Sequence, residues 1–169
     1  GAVGDALGYA VEFCSERQIF SEYGENGITE YALKNGKALI SDDTQMTMFT
    51  ATALLYGITR GKLRGIMGDF STYMAFEYQG WYLTQNANYP VDIEENYAKY
   101  SWVMNLPEMF SHRAPGNTCL SALAAGGKGT IDKPINNSKG CGGIMRVAPI
   151  GLYFSEGKMD IASIDKIGA

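Results

Sequence analysis

Apolar side chains recur at helical spacing over much of this chain. Met46, Phe49, Ala53 and Tyr56 fall at i, i+3, i+7 and i+10, which predicts one amphipathic helix starting at Ser41 and ending near Gly57 or Gly61. Met67, Phe70, Met74 and Tyr78 predict a second helix from residue 63 to about residue 85, weakened by Gly68 and Gly80, with Pro90 closing the connection. Tyr97, Tyr100 and Met104 are in step for a third over 93–104, and residues 117–125 read as a fourth with Asn117 as its N-cap. Residues 144–154 return to helix despite Pro149. The opening octad Gly1-Ala2-Val3-Gly4-Asp5-Ala6-Leu7-Gly8 carries small residues at helical spacing, suited to plain packing or to close approach of another helix.

Between these segments the period is lost. Residues 14–40 mix charges, glycines and isolated aromatics such as Phe20, Tyr23 and Tyr31, as in a long loop with a short helix or hairpin. Residues 125–143 are rich in Gly, Lys, Asn and Ser and read as loop. Strand alternation is nearly absent and no repeat is present, so the expectation is one all-α domain over residues 1–169, a helical bundle. Gly1 to Asp5 reads as the middle of a helical motif and residues 160–169 as a helix barely begun, so both ends look cut from a longer bundle. A bundle cut short exposes apolar faces, and self-association is expected from them.

A chain of 169 residues can bury a core without staples. Its 14 Lys and Arg against 18 Asp and Glu give a net charge of -4, with no like-charged block. That balance argues against nucleic acid or an anionic membrane as partner and favours a small ligand. Cys14, Cys119 and Cys141 are odd in number and far apart, which suggests neither a disulfide framework nor a zinc ribbon. With no signal-peptide pattern and no apolar run long enough to span a bilayer, the expectation is a reduced, cytoplasmic protein.

Ser41, Asp42, Asp43 and Thr44 stand where loop becomes helix, at the positive end of the helix dipole. Adjacent carboxylates beside a hydroxyl on a rigid helix end can ligate a hard cation such as Mg²⁺ or Mn²⁺. The same pattern is also ordinary helix capping, and the residues alone do not choose. Glu12 is placed to serve as a general base or to reach a bound water, or it is simply an acid at a helix end. Gly140, Cys141, Gly142 and Gly143, followed by Arg146, could offer backbone N–H groups and a guanidinium to a phosphate, or form a glycine turn. The run is not a Walker A loop, follows no strand, and has in Lys139 either a second anion contact or a solvated charge. His112 is the only histidine, read here as a surface or helix-end side chain, and no base is visible beside the Cys141 thiol.

Together Gly4-Asp5-Ala6-Leu7-Gly8 with Glu12-Phe13, Ser41-Asp42-Asp43-Thr44-Gln45-Met46-Thr47, and Gly140-Cys141-Gly142-Gly143-Ile144-Met145-Arg146-Val147-Ala148-Pro149-Ile150-Gly151 resemble, in order and spacing, the ADP-ribosylglycohydrolase family. The resemblance implies an all-α bundle with a pair of Mg²⁺ ions in its cleft and hydrolysis of the bond between ADP-ribose and an acceptor. It implies Ser41, Asp42 and Asp43 as metal ligands, Ser41 standing where many members have Thr. Glu12 and Asp43 become candidates for the proton. Asn117 and Thr118 are placed near the nucleotide, and Gly140, Cys141, Gly142, Gly143 and Arg146 around the diphosphate and adjoining ribose. The family closes its metal site with an Asp-x-Asp-Thr cluster toward the C-terminus; none occurs here, since Asp160 and Asp165 are followed by other residues. The lone Ser-Asp-Asp cluster is expected to bind Mg²⁺ weakly, because Mg²⁺ gives up water reluctantly. The expectation is therefore a Mg²⁺-dependent hydrolase acting on ADP-ribosylated acceptors. The alternatives are a non-catalytic ADP-ribose-binding or structural protein on the same fold and a hydrolase of another nucleotide derivative.

Overall fold

The computed structural model of the protein describes residues 1–92, 97–155, 157 and 159–168. Its axis is a pair of packed helices, Asp42–Arg64 and Phe70–Asn86. In chain order the helices are α1 (Ala2–Gly8), α2 (Glu16–Tyr23), α3 (Asp42–Arg64), α4 (Phe70–Asn86), α5 (Asn117–Ala124), α6 (Ala148–Phe154) and α7 (Ile161–Gly168). One antiparallel hairpin, β1 (Leu33–Lys34) and β2 (Lys37–Ala38), pairs Leu33 with Ala38 and Lys34 with Lys37. The fold is all-α, and where a short helix or a hairpin is expected between residues 14 and 40 the chain forms one of each.

The face foreseen for α3 is its core face: Met46, Phe49 and Ala53 are fully buried. Its end differs from expectation. Gly57 and Gly61 do not stop the helix but lie buried inside it. A Cβ at Gly57 would stand 2.7 Å from Cδ2 of Tyr73, so this glycine lets α4 come close. The helix ends instead at Gly65, whose φ of 71° is the left-handed C-cap that glycine adopts at little cost. The second helix likewise begins at Phe70 and not at residue 63, because the Asp69 carboxylate accepts from Ser71 N–H at 3.2 Å and caps it there. Met67, expected on that helix's buried face, is an exposed residue of the connection.

The third predicted helix is not one α-helix. Ile93 and the three residues after it lie outside the described residues; from Tyr97 the chain forms 3₁₀ turns over Tyr97–Tyr100 and Trp102–Asn105. The fourth is found, with Gly116 and not Asn117 in the cap position. The segment 144–154 divides into a 3₁₀ turn over Cys141–Arg146 and α6, whose first turn accommodates Pro149 because N–H groups there need no intrahelical partner.

Apolar side chains gather in two clusters along the α3–α4 pair. Met46, Phe49, Trp81, Val103, Met104, Met109, Cys119 and Leu123 form one cluster, and Ala53, Leu54, Phe70, Met74, Ile150 and Phe154 the other. Among the described residues no helix is long and apolar enough to cross a membrane.

One buried group works against the packing around it. Glu77 of α4 is 0 % exposed; its Oε2 accepts from Ser101 Oγ at 2.5 Å, while its Oε1 has no hydrogen-bond partner. Burial, opposed by the Ser101 bond, pushes its carboxyl up to about 7. A folded-state value above the ordinary 4.5 means that the folded protein holds this proton more tightly than the unfolded chain. The associated stability is full below about pH 4.5, falls as pH rises, and is spent once pH passes about 7. Glu77→Gln keeps the acceptor for Ser101 and removes the ionisation. Chemical denaturation at pH 5 and pH 8 is expected to show a stability difference attributable to Glu77 on the order of 3 kcal/mol in wild type and absent in the variant. Equal pH dependence in the two proteins would sink this assignment.

Candidate functional site

The N-terminal end of α3 is closed by groups from three places in the sequence, Asp5, Ser41 and Arg113. Asp42 N–H donates to Arg113 C=O at 2.9 Å, Asp43 N–H to Ser41 Oγ at 3.1 Å, Thr44 N–H to Asp5 Oδ2 at 3.3 Å and Gln45 N–H to Ser41 C=O at 3.3 Å. Asp5, on α1, also accepts from Ser41 N–H at 3.1 and 3.0 Å and from the Thr44 hydroxyl. All the donors that a helix start leaves open are thus satisfied without spending the Asp42 and Asp43 carboxylates on them. Ser41 does cap the helix, as its position in the sequence allows, and its hydroxyl oxygen keeps a second lone pair. The Thr44 hydroxyl, by contrast, is committed to Asp5.

Asp42 is 6 % exposed and Asp43 is exposed. Asp42 Oδ2 accepts from Gly116 N–H at 3.2 Å, which ties the start of α5, and with it Asn117 and Thr118, to the α3 terminus. Burial chiefly, with the neighbouring charges of Asp43 and Glu12 and against the Gly116 bond, raises the Asp42 carboxyl to about 6. Burial and then Asp5 raise Asp43, and burial, then Asp43 and Asp5, raise Glu12. Glu12 lies just beyond the 3₁₀ turn Tyr9–Val11 that continues α1, so α1 brings both Asp5 and Glu12 to this end of α3.

The acids thus feel one another, and an oxygen-only set of this kind suits a hard divalent cation. Among the described residues no group of three or more Asp, Glu, His and Cys side chains closes around a metal position. Two carboxylates and a hydroxyl form a partial donor set: they fit such an ion in chemistry and leave most of its coordination to water or other oxygens.

The glycine-rich loop lies against a separate feature. Thr118, Gly140, Gly142, Gly143 and Arg146 line a cavity of about 1170 Å³ that extends between α4, α5, α6 and α7. Arg146 is held at its wall, with its guanidinium carbon 4.6 Å from the centroid of the Tyr78 ring and Nη1 4.0 Å from the sulfurs of Cys119 and Met46. Tyr78 is fixed in turn by a 2.6 Å hydrogen bond with Thr50 Oγ1. Among the described residues no carboxylate pairs with Arg146. A half-buried guanidinium with no acid beside it, next to a run of glycines, is suited to an anion. Cys119 Sγ lies 3.9 Å from Gly142 C=O, and a Cβ on Gly142 would come within 2.6 Å of that sulfur, so the loop can sit this close to α5 only with glycine there.

The structure therefore gathers the candidates into two groups. Glu12, Ser41, Asp42 and Asp43 stand at one end of α3, and Thr118, the loop glycines and Arg146 around the cavity, with the Gly116–Asp42 bond between them. Asn117 and Cys141 are exposed. Lys139 is exposed on the loop, and His112 Nε2 lies 2.6 Å from Gln85 C=O near the end of α4, a helix-end role that accounts for it without chemistry. All three cysteines are free. The residues that local reading missed are Asp5 and Tyr78, each of which acts on a segment far away in sequence.

Comparison with known proteins adds one match. A family model described as ADP-ribosylglycohydrolase matches residues 1–167. No curated protein and no solved structure matches the chain.

Proposed function

Because this chain belongs to the ADP-ribosylglycohydrolase family, we propose that it binds ADP-ribose and takes part in hydrolysing the glycosidic bond between ADP-ribose and an acceptor, with Mg²⁺ or Mn²⁺ as the metal. The observation that carries this reading is the family match over residues 1–167, which takes in every site residue named above. Ser41, Asp42 and Asp43 would hold the metal. A divalent ion there supplies charge that orients ribose hydroxyls and water at the sugar carbon.

The remaining work belongs to the chain's own side chains. Arg146, presented by the Tyr78 ring at the cavity wall, contacts the diphosphate, and the N–H groups of Gly140, Cys141, Gly142 and Gly143 add neutral donors. Asn117 and Thr118 sit toward the nucleoside. Glu12, whose carboxyl burial and the nearby acids raise, exchanges a proton with water at the scissile bond, with Asp43 as the other candidate.

Incubating the protein with arginine- and serine-ADP-ribosylated peptides in Mg²⁺ and following free ADP-ribose by mass spectrometry tests turnover. Release that stops on chelation supports the proposal; no release and no ADP-ribose binding would refute it. The alternative reading on the same fold is ADP-ribose binding without hydrolysis. Arg146→Ala is expected to weaken ADP-ribose binding about 10-fold or more, the range for a charge-assisted hydrogen bond, read by calorimetry. Unchanged affinity would remove Arg146 from the diphosphate site.

A further inference from the structure

We propose that Asp5 is a positioning residue, an external cap that holds the Ser41–Thr44 turn in its ligand-presenting form and joins it to the segment carrying Glu12. The inference rests on the reading of Ser41, Asp42 and Asp43 as metal ligands. Its basis is the pattern of donors. The one carboxylate of Asp5 receives Ser41 N–H, Thr44 N–H and the Thr44 hydroxyl across 36 and 39 residues of sequence. Ser41 alone supplies what an ordinary N-cap requires, through the bond from Asp43 N–H. Asp5 adds three further ties to the same turn and fixes the residues on either side of the two acids.

The consequence is geometric. With Ser41 and Thr44 anchored to α1, Asp42 and Asp43 lie between two fixed points, and Asp42 is held additionally by Gly116 N–H. Asp5 is itself occupied by these donors, so it orients the acids and does not replace them. Asp5 lies on α1 and Glu12 is the C-cap of the 3₁₀ turn that continues it, so the same carboxylate sets where Glu12 stands relative to the Ser41–Thr44 turn. Groups that orient metal ligands typically change metal affinity about 10–100-fold when removed.

The test uses Mn²⁺ alone, its binding followed by electron paramagnetic resonance, together with amide hydrogen exchange, on wild type, Asp5→Ala, Asp5→Asn and Thr44→Val. Asp5→Ala is expected to weaken Mn²⁺ binding about 10–100-fold and to speed exchange at Ser41 and Thr44, while amides of the buried middle of α3 keep their protection. Asp5→Asn, which retains an acceptor oxygen, should recover part of the affinity. Thr44→Val, which loses only the hydroxyl tie, should fall between wild type and Asp5→Ala. A folded Asp5→Ala protein that binds Mn²⁺ as wild type does would overturn the proposal, even with faster exchange, since Asp5 would then merely cap the helix. Wild type that binds no Mn²⁺ would instead sink the metal reading and the Asp5 proposal with it, so the two failures are distinguishable.

Discussion

Replacing Asp42 and Asp43 together by alanine is expected to lower Mg²⁺-dependent ADP-ribose affinity by at least about 100-fold with little loss of fold stability. The loss of function follows from removing both carboxylates of the candidate donor set. The tolerance follows from the capping pattern: the four N–H groups that open α3 are taken by Arg113, Ser41 and Asp5, none of which the substitution touches. Asp42 does accept from Gly116 N–H, and that donor would be left to find water. Against this cost stands the relief of burying a carboxylate that its surroundings raise to about 6. On the metal-ligand reading proposed above, an acid kept in a place that penalises its charge fits the usual trade between activity and stability. Thermal unfolding of the double variant within a few degrees of wild type, beside calorimetry showing lost binding, is the expected pair of results. Retained binding would remove the acids from the site, and collapse of the fold would make their role structural.

The largest expected effect on stability is at Trp81. Its side chain is 0 % exposed among Met46, Phe49, Val103 and Met104, and Trp81→Ala should cost about 3–5 kcal/mol. That is a large part of the margin on which a domain folds, about 5–15 kcal/mol. The indole also donates to Gln45 Oε1 at 3.2 Å, beside Gln85 Nε2 at 3.3 Å, while Gln45 Nε2 reaches Ser111 C=O at 3.1 Å. Gln45 thus ties α3 to α4 and to the 106–113 segment whose Arg113 carbonyl accepts from Asp42 N–H. Trp81→Phe keeps most of the packing and removes the donor, and should cost about 1–2 kcal/mol. Denaturant unfolding of the two variants checks the order; a cost below about 1 kcal/mol for Trp81→Ala would contradict the core described here.

How legible all this was depended on distance along the chain. Met46, Phe49 and Ala53 announced the buried face of α3 because a helix repeats every 3.6 residues and the core lies on one side. Gly57 and Gly61 misled, because glycine both ends helices and lets them touch; only the presence of Tyr73 and Met67 against them distinguishes the cases. Some signals were present but short. Ser15 and Gln18 form a capping box at the start of α2, and Asn35-Gly36, both at positive φ, is the two-residue turn that closes the hairpin. The turns from Tyr97 to Asn105 keep aromatic spacing without forming one helix; Ser101, between them, is turned inward to Glu77.

The candidate site divides along the same line. Its motifs were readable as residues, and their order carried the family resemblance, which the match over residues 1–167 bears out. What no local pattern could give is their support: Asp5 capping a helix 36 residues on, Gly116 bound to Asp42 across 74, and Arg146 seated on Tyr78. Such contacts depend on tertiary packing, and sequence spacing carries no trace of them.

The most direct test of the account is calorimetric titration of ADP-ribose into the wild-type protein, once in Mg²⁺ and once in a chelator. A saturable binding heat in Mg²⁺ that chelation removes is expected. Equal heats in both buffers, or none in either, would contradict a metal-dependent ADP-ribose site built on the N-terminal end of α3.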